Sequence, residues 1–441
     1  MASIKFRSRR RFLKQAGIGL CTLASLPDWL LAAETMHGMP VMAPRKVSTN
    51  FKPDVEFELF CQNTDIQILE GKKTGVQRYT AKLLQGPIQS LTELANSYLG
   101  PVIRLQTGQK VRIHLINQLT EPTITHWHGL HVPMEVDGHP MYAINPGQRF
   151  VYEFEVQNRA SMNIYHPHPH EATASQVYHG LTGAIIINDQ EEAALDLLSG
   201  EFEIPVVIQD RLFDTDNQLI YAPGMHGSMF GYYGNRILVN GHPEQQLDVA
   251  SRAYRLRLLN GSTARIYKLG WDDGTPITVI GTDGGLLDEP EQKPYAMLAP
   301  GERLDVWADF SNRPIGSELT LRSLAFSGAL PMMGMMRHNG YGLPMGSDYP
   351  VMTFRINKKV SDSPKLPTKL STLPKHKLEA THNPTKPVPI TITEGHMQML
   401  LNGRPYAYND VQDNERIPLN TIQLMEISHE HGGHGMGGMG Q

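Results

Sequence analysis

The sequence predicts an all-β protein built from β-sandwich domains in tandem, and three observations carry that expectation. Its 441 residues include 40 glycines and 31 prolines, which favour many turns and short strands over long helices. Segments in which apolar and polar side chains alternate end in turns, as half-buried strands do. Those segments recur at a domain-sized interval. Residues 110–117 resemble 254–260, and Asn145-Pro146-Gly147-Gln148-Arg149 with the strand after it returns as Ala299-Pro300-Gly301-Glu302-Arg303. Residues 237–241 recur as 399–403. Repetition of this kind reads as tandem Greek-key sandwiches.

The elements follow in chain order. Arg9-Arg10-Arg11-Phe12-Leu13-Lys14 resembles a twin-arginine export motif, and the apolar run 16–26 behind it has the length of a signal-peptide h-region. It is shorter than the roughly 20 apolar residues that a membrane span needs. Residues 1–33 are therefore expected to be a removable leader, to engage the Tat translocase, and to direct the chain to the periplasm with no membrane attachment afterwards. A first sandwich is expected over 50–190 and a second over 200–357. Residues 358–387, rich in Lys, Pro, Ser and Thr, read as a linker or crossing segment. A partial third sandwich is expected over 388–441, with its last strand at 421–427 and a Gly/His/Met-rich tail from Ser428 onward. Two sandwiches are thus expected to be complete and the third truncated.

Hydrophobic residues at 40% allow a sizeable core, and a net charge of −4 without a basic stripe argues against a nucleic-acid partner. The two cysteines are Cys21, in the leader, and Cys61, so no internal disulfide is expected after export.

Chemistry concentrates in two histidine pairs, His126-Trp127-His128 and His166-Pro167-His168. On a strand, residues two apart share a face, so each pair presents two imidazoles together and Trp127 points the opposite way, into a core. Two such strands brought together offer four imidazoles, a set that suits copper or zinc. Pro167 cannot donate a ladder hydrogen bond, which places the second pair on an edge strand or at a strand end. His131, His139, His170 and His179 lie nearby in sequence and read as ordinary polar histidines. Asp137 precedes Gly138 and reads either as a turn residue or as an acid beside the site.

With its flanks, the stretch from His126-Trp127-His128-Gly129 through Val136-Asp137-Gly138, with Tyr165-His166-Pro167-His168, His179-Gly180-Leu181-Thr182-Gly183 and Gly281-Thr282-Asp283-Gly284-Gly285, resembles the multicopper oxidases, most of all the periplasmic cuprous oxidases of bacteria. The resemblance implies cupredoxin-like sandwiches and copper as cofactor. It further implies oxidation of Cu(I) or a small phenolic substrate coupled to reduction of O2 to water. It assigns His126 to a type 2 copper, His128, His166 and His168 to a type 3 pair, and Asp137 to proton delivery beside them.

The family's remaining ligands come from a third domain, through a His-Pro-x-His-x-His pattern and a His-Cys-His core, and neither pattern occurs in these 441 residues. A type 1 copper site is therefore expected to be absent, a truncated or split product is expected, and activity of this chain alone is doubtful. A non-catalytic copper-binding protein or a cupredoxin scaffold, like the copper-free cell-division relatives of the family, is the alternative. His429-Glu430-His431-Gly432-Gly433-His434, followed by Met439, imitates the missing motif, but a glutamate stands where the cysteine belongs and the spacing is one residue short. Met332, Met333, Met335, Met336 and Met345 form a soft-ligand cluster that reads either as Cu(I) handling or as core filler.

Overall fold

The structure, a computed structural model, describes residues 42–43, 45–222, 231–327, 342–395, 398–405, 407 and 410–430. The expected leader at 1–33, Met332, Met333, Met335 and Met336, and the tail from His431 onward lie outside the described residues.

The fold is all-β, with cupredoxin-like sandwiches in tandem. The first contains β1 (Val55–Ile66), β2 (Thr74–Gln85), β3 (Leu91–Thr92), β4 (Val102–Gln106), β5 (Lys110–Gln118), β6 (Thr125–His128), β7 (Arg149–Glu155), β8 (Ser161–Pro167) and β9 (Gly183–Asn188). They form two sheets, ordered β2-β1-β5-β7 and β3-β4-β9-β8-β6. Alternate side chains of both sheets meet in one core that includes Phe57, Leu59, Ile113, Leu115, Trp127, Tyr152 and Tyr165.

The sequence repeats are repeats of topology. β1 pairs antiparallel with β2 and parallel with β5, and β5 pairs antiparallel with β7. In the second sandwich Glu203–Arg211 pairs antiparallel with Arg236–Val239 and parallel with Ala253–Asn260, which pairs antiparallel with Arg303–Asp309. Farther on, Val388–Gly395 pairs antiparallel with Gln398–Leu401 and parallel with Met425–Glu430. That last strand corrects the sequence expectation of 421–427. It begins later and takes in Ser428 and His429, which pair with Thr391 and Ile392. The register with Val388–Gly395 sets its limits, because among the described residues no buried apolar cluster includes this strand to enforce the apolar pattern: Ile427 is 67% exposed.

Strands β8 and β9 are buried on both faces, which explains why residues 184–187 read as an unbroken apolar run rather than an alternating one. One face lies on the first core. On the other, Val102, Met162, Ile164, Ala184 and Ile186 meet Val207, Leu238 and Leu259 of the second sandwich.

Beside this apolar contact lies a buried ionic cluster. Arg255 reaches Glu192 at 2.6 Å and Asp305 at 2.6 Å, and Arg257 reaches Glu192 at 2.8 Å, Glu203 at 2.8 Å and Asp305 at 2.9 Å. Arg104 of β4 closes it on Glu203 at 2.6 Å. Three guanidinium and three carboxylate groups compensate one another, as charges withdrawn from water require.

Within the segment read as a linker or crossing segment, Leu370 and Ser371 are buried. The Leu370 N–H donates to Asp288 O at 2.8 Å, and the Ser371 hydroxyl joins Glu191 at 2.8 Å and Arg159 at 2.6 Å. Among the described residues no helix is long and apolar enough to cross a membrane.

Removing one member of such a cluster strands its partners' charges. Asp305→Ala, which leaves Arg255 and Arg257 short of their shared carboxylate, is expected to destabilise the protein by about 3–5 kcal/mol in urea unfolding. A cost below about 1 kcal/mol would mean that water or side-chain movement replaces the lost partner.

Candidate metal centre

The site begins with a short edge strand. β6 pairs antiparallel with β8 so that His126 stands opposite His166 and Trp127 opposite Tyr165. Trp127 turns inward, 1% exposed, with Tyr152 edge-on at 5.0 Å and Tyr165 at 6.1 Å. The Tyr152 hydroxyl accepts from the Thr125 N–H at 3.0 Å and donates to Thr125 O at 2.9 Å, pinning the free edge of β6. Pro167 is the last residue of β8, where its missing N–H costs no ladder bond. Just beyond it, the His168 N–H still reaches Ile124 O at 2.8 Å and keeps that residue in line.

This register gathers His126, His128 and His166, each able to offer one ring nitrogen, with all three nitrogens inside 4.8 Å of one another. His128 Nδ1 lies 3.4 Å from His166 Nε2. The His168 ring flanks the trio, 5.3 Å from that of His126 and 6.1 Å from that of His166. Hydrogen bonds fix two of the tautomers. His126 Nδ1–H donates to Asp137 O at 2.6 Å and His166 Nδ1–H donates to Pro167 O at 2.9 Å, so Nε2 of each is left as a lone-pair donor. His168 Nδ1 is buried with no hydrogen-bond partner among the described residues.

Asp137 serves His126 twice, through its carbonyl and through a carboxylate oxygen 3.2 Å from Nδ1, while its side chain remains 38% exposed. The short 3₁₀ turn Met134–Val136 carries it there, and Gly138 makes the approach possible. At φ +79°, a Cβ on Gly138 would sit 2.0 Å from Thr125 O.

The electrostatics separate the ligands. Burial opposes the charged form of His126, but the Asp137 side-chain and carbonyl bonds and the carboxylate charge outweigh it, and its pKa is raised. Burial pushes His128 down to about 4, with the Arg303 cation adding to it, and pushes His166 down to about 3. Burial, then His126, also lowers His168. Three of the four imidazoles are thus held neutral, the form that binds metal.

The other sequence candidates fall outside the cluster. His131 is exposed, His139 Nδ1 accepts the Met141 N–H at 3.3 Å, His170 lies 3.9 Å from Glu171, and His179 donates to Ser175 O at 2.8 Å. Met345 is half-buried. Cys61, the one cysteine among the described residues, is wholly buried in the core, with its pKa pushed far up by burial. Sequence reasoning missed Arg303, whose turn was visible only as a repeat.

The family profile described as multicopper oxidase matches residues 75–192, a span that contains all four histidines. The solved structure of McoA multicopper oxidase from the hyperthermophile Aquifex aeolicus is 32% identical, covers 82% of this chain and 75% of its own, and superposes with a TM-score of 0.68. The chain belongs to the multicopper oxidase family.

A multicopper oxidase of Staphylococcus haemolyticus (strain JCSC1435) is 36% identical over 254 residues, which are 56% of this chain and 56% of that protein. The cell division protein FtsP of Escherichia coli (strain K12) is 32% identical over 316 residues, 71% of this chain and 62% of FtsP. The chain thus spans little more than half of the first of these relatives and under two thirds of the second. Multicopper oxidases are copper-dependent oxidoreductases, and the donor set here fits that metal. Two nitrogens bound to one ion at about 2.0–2.1 Å each lie no more than about 4 Å apart, so nitrogens inside 4.8 Å suit one ion or two neighbouring ones.

In the unfolded chain, histidines protonate near pH 6.5. His128 and His166 resist protonation in the folded chain, so below pH 6.5 the unfolded state binds more protons and the metal-free protein loses stability as pH falls toward about 4 and 3. His126 works in the opposite sense, so a variant isolates the effect. His166→Gln is expected to remove about 2 kcal/mol of the stability lost between pH 7 and pH 5, as measured by urea unfolding. An unchanged pH slope would contradict the depressed value.

Proposed function

We propose that this chain is an exported copper protein of multicopper oxidase type, with copper held by His126, His128, His166 and His168. The observation that carries the reading is the gathering of three ring nitrogens within 4.8 Å, with two tautomers already fixed by carbonyl bonds. When bound, copper would supply the one-electron chemistry by which Cu(I) or a phenolic substrate is oxidised and O2 is reduced to water. The chain's own part is positional and protonic. His128, His166 and His168 stay neutral, and Asp137 sets a partly exposed carboxylate beside Nδ1 of His126. The twin-arginine stretch ahead of Phe12 supports periplasmic export through the Tat translocase.

Electron entry in this family needs a copper–thiolate bond. Cys61 offers none. It sits at zero exposure among core side chains, and its thiol is kept neutral by burial. We therefore expect the 441-residue chain to bind copper without turning over. A non-catalytic copper-binding or scaffold role is the second reading, to which the likeness to the cell division protein FtsP points without deciding between the two.

Copper loading of the purified chain tests this. The expected outcome is bound copper, no intense blue copper–thiolate band, and no O2 uptake with Cu(I) or a phenol. A His128→Gln, His166→Gln double variant is expected to lose that copper. Blue colour with O2 uptake would overturn the inactive reading, and copper retained by the double variant would overturn the ligand assignment.

A further inference from the structure

The two repeated Pro-Gly turns share a backbone but not an environment. Gly147 and Gly301 have φ of +79° and +80°. A Cβ on Gly147 would meet nothing within 4 Å, whereas one on Gly301 would lie 3.0 Å from His128 Cε1. The arginines that end the turns diverge as well. Arg149 is half exposed and reaches Glu58 at 3.1 Å on the surface.

Arg303 is buried, and its guanidinium joins the two sandwiches. Nε donates to Met162 O at 2.9 Å and Nη2 to Asn163 Oδ1 at 3.4 Å, both on β8, the strand of His166. Nη1 donates to Gly301 O at 2.9 Å, which ties the guanidinium to its own turn. Asp283 holds the arm from the other side, 3.1 Å from Nη1, and accepts the Arg303 backbone N–H at 2.7 Å. A Cβ on Gly129, the residue after His128, would come within 2.8 Å of Arg303 Nη2, so the guanidinium lies against the backbone that carries the ligand.

We propose that the turn 299–303 of the second sandwich is a positioning element for the copper ligand His128. Gly301 leaves room for the imidazole, which any Cβ there would press at Cε1, and Arg303 fastens the turn to β8 while placing a buried positive charge beside the ligand. Neither residue touches the metal. Each acts through His128, and the inference rests on the reading of that residue as a copper ligand. Groups packed around a ligand hold its orientation, and the loss of a hydrogen-bonded one typically costs about 10–100-fold in metal affinity.

The matched glycines supply the test. Gly147→Ala and Gly301→Ala carry the same left-handed backbone strain, so unfolding experiments should register a similar strain cost in both. Copper affinity, by chelator competition, and the Cu(II) electron paramagnetic resonance spectrum separate them. Gly301→Ala is expected to weaken binding by about tenfold or more and to change the spectrum, while Gly147→Ala matches the parent chain. Should Gly301→Ala fail to fold, Arg303→Lys takes its place, because it keeps the charge but not the planar fork. A changed spectrum at unchanged copper stoichiometry is then expected. Parent-like binding and spectrum in the folded Gly301→Ala chain, or in Arg303→Lys, would overturn the proposal. A parent chain that binds no copper would overturn the ligand reading itself, a result distinct from either of these.

Discussion

The antiparallel register of β6 on β8 is the constraint on which the site depends. Side chains alternate across a strand, so a slip of one residue would bury His126 and His128 and drive Trp127 out of the core. Two features oppose the slip. Trp127 fills a cleft among Tyr152, Phe154 and Tyr165, and the Tyr152 hydroxyl bonds both polar groups of the Thr125 backbone. Core packing thereby sets the position of groups on the opposite face. The histidines owe their convergence to aromatic side chains on the opposite face of the sheet, and three of them owe their neutrality to the burial that packing brings.

A second dependence runs between the sandwiches. The sheet that carries the histidine pairs is covered on its outer face by the second sandwich through Met162, Ile164 and Ile186, with the Arg255–Arg257–Asp305 cluster beside that apolar contact. Burying three ion pairs gains little net stability over an apolar contact, but parting the sandwiches would take Arg104 of β4 from its partner Glu203 in the second sandwich. The docked turn at 299–303 brings Arg303 close enough to His128 to help push its pKa down.

Much of this was legible in the sequence because the signals are local. Alternation placed His126 and His128 on one face and Trp127 on the other, Pro167 marked a strand end, and the repeated Pro-Gly segments foretold repeated topology. Resemblance to a known family supplied the identity of the metal. What stayed hidden is non-local. Arg255, Arg257 and Arg303 look like surface arginines on alternating strands, but the carboxylates of Glu192, Glu203 and Asp305 enclose the first two and β8 of the first sandwich covers the third. The Asp137 carbonyl reaches His126 only because Gly138 lets the turn lie on Thr125 O, a contact no spacing rule contains. The last strand starts four residues later than the pattern suggests because pattern reading assumes a core, and on this strand Met425 and Ile427 are exposed.

The central claim is that the register of β6 on β8 gathers a copper-ligand set within the first sandwich of this member of the multicopper oxidase family. Anomalous diffraction at the copper edge from a copper-loaded crystal of the 441-residue chain tests it most directly. The account predicts anomalous density among the ring nitrogens of His126, His128, His166 and His168, and none at Cys61. Copper density away from these four histidines, or its absence from them in a fully loaded crystal, would contradict it.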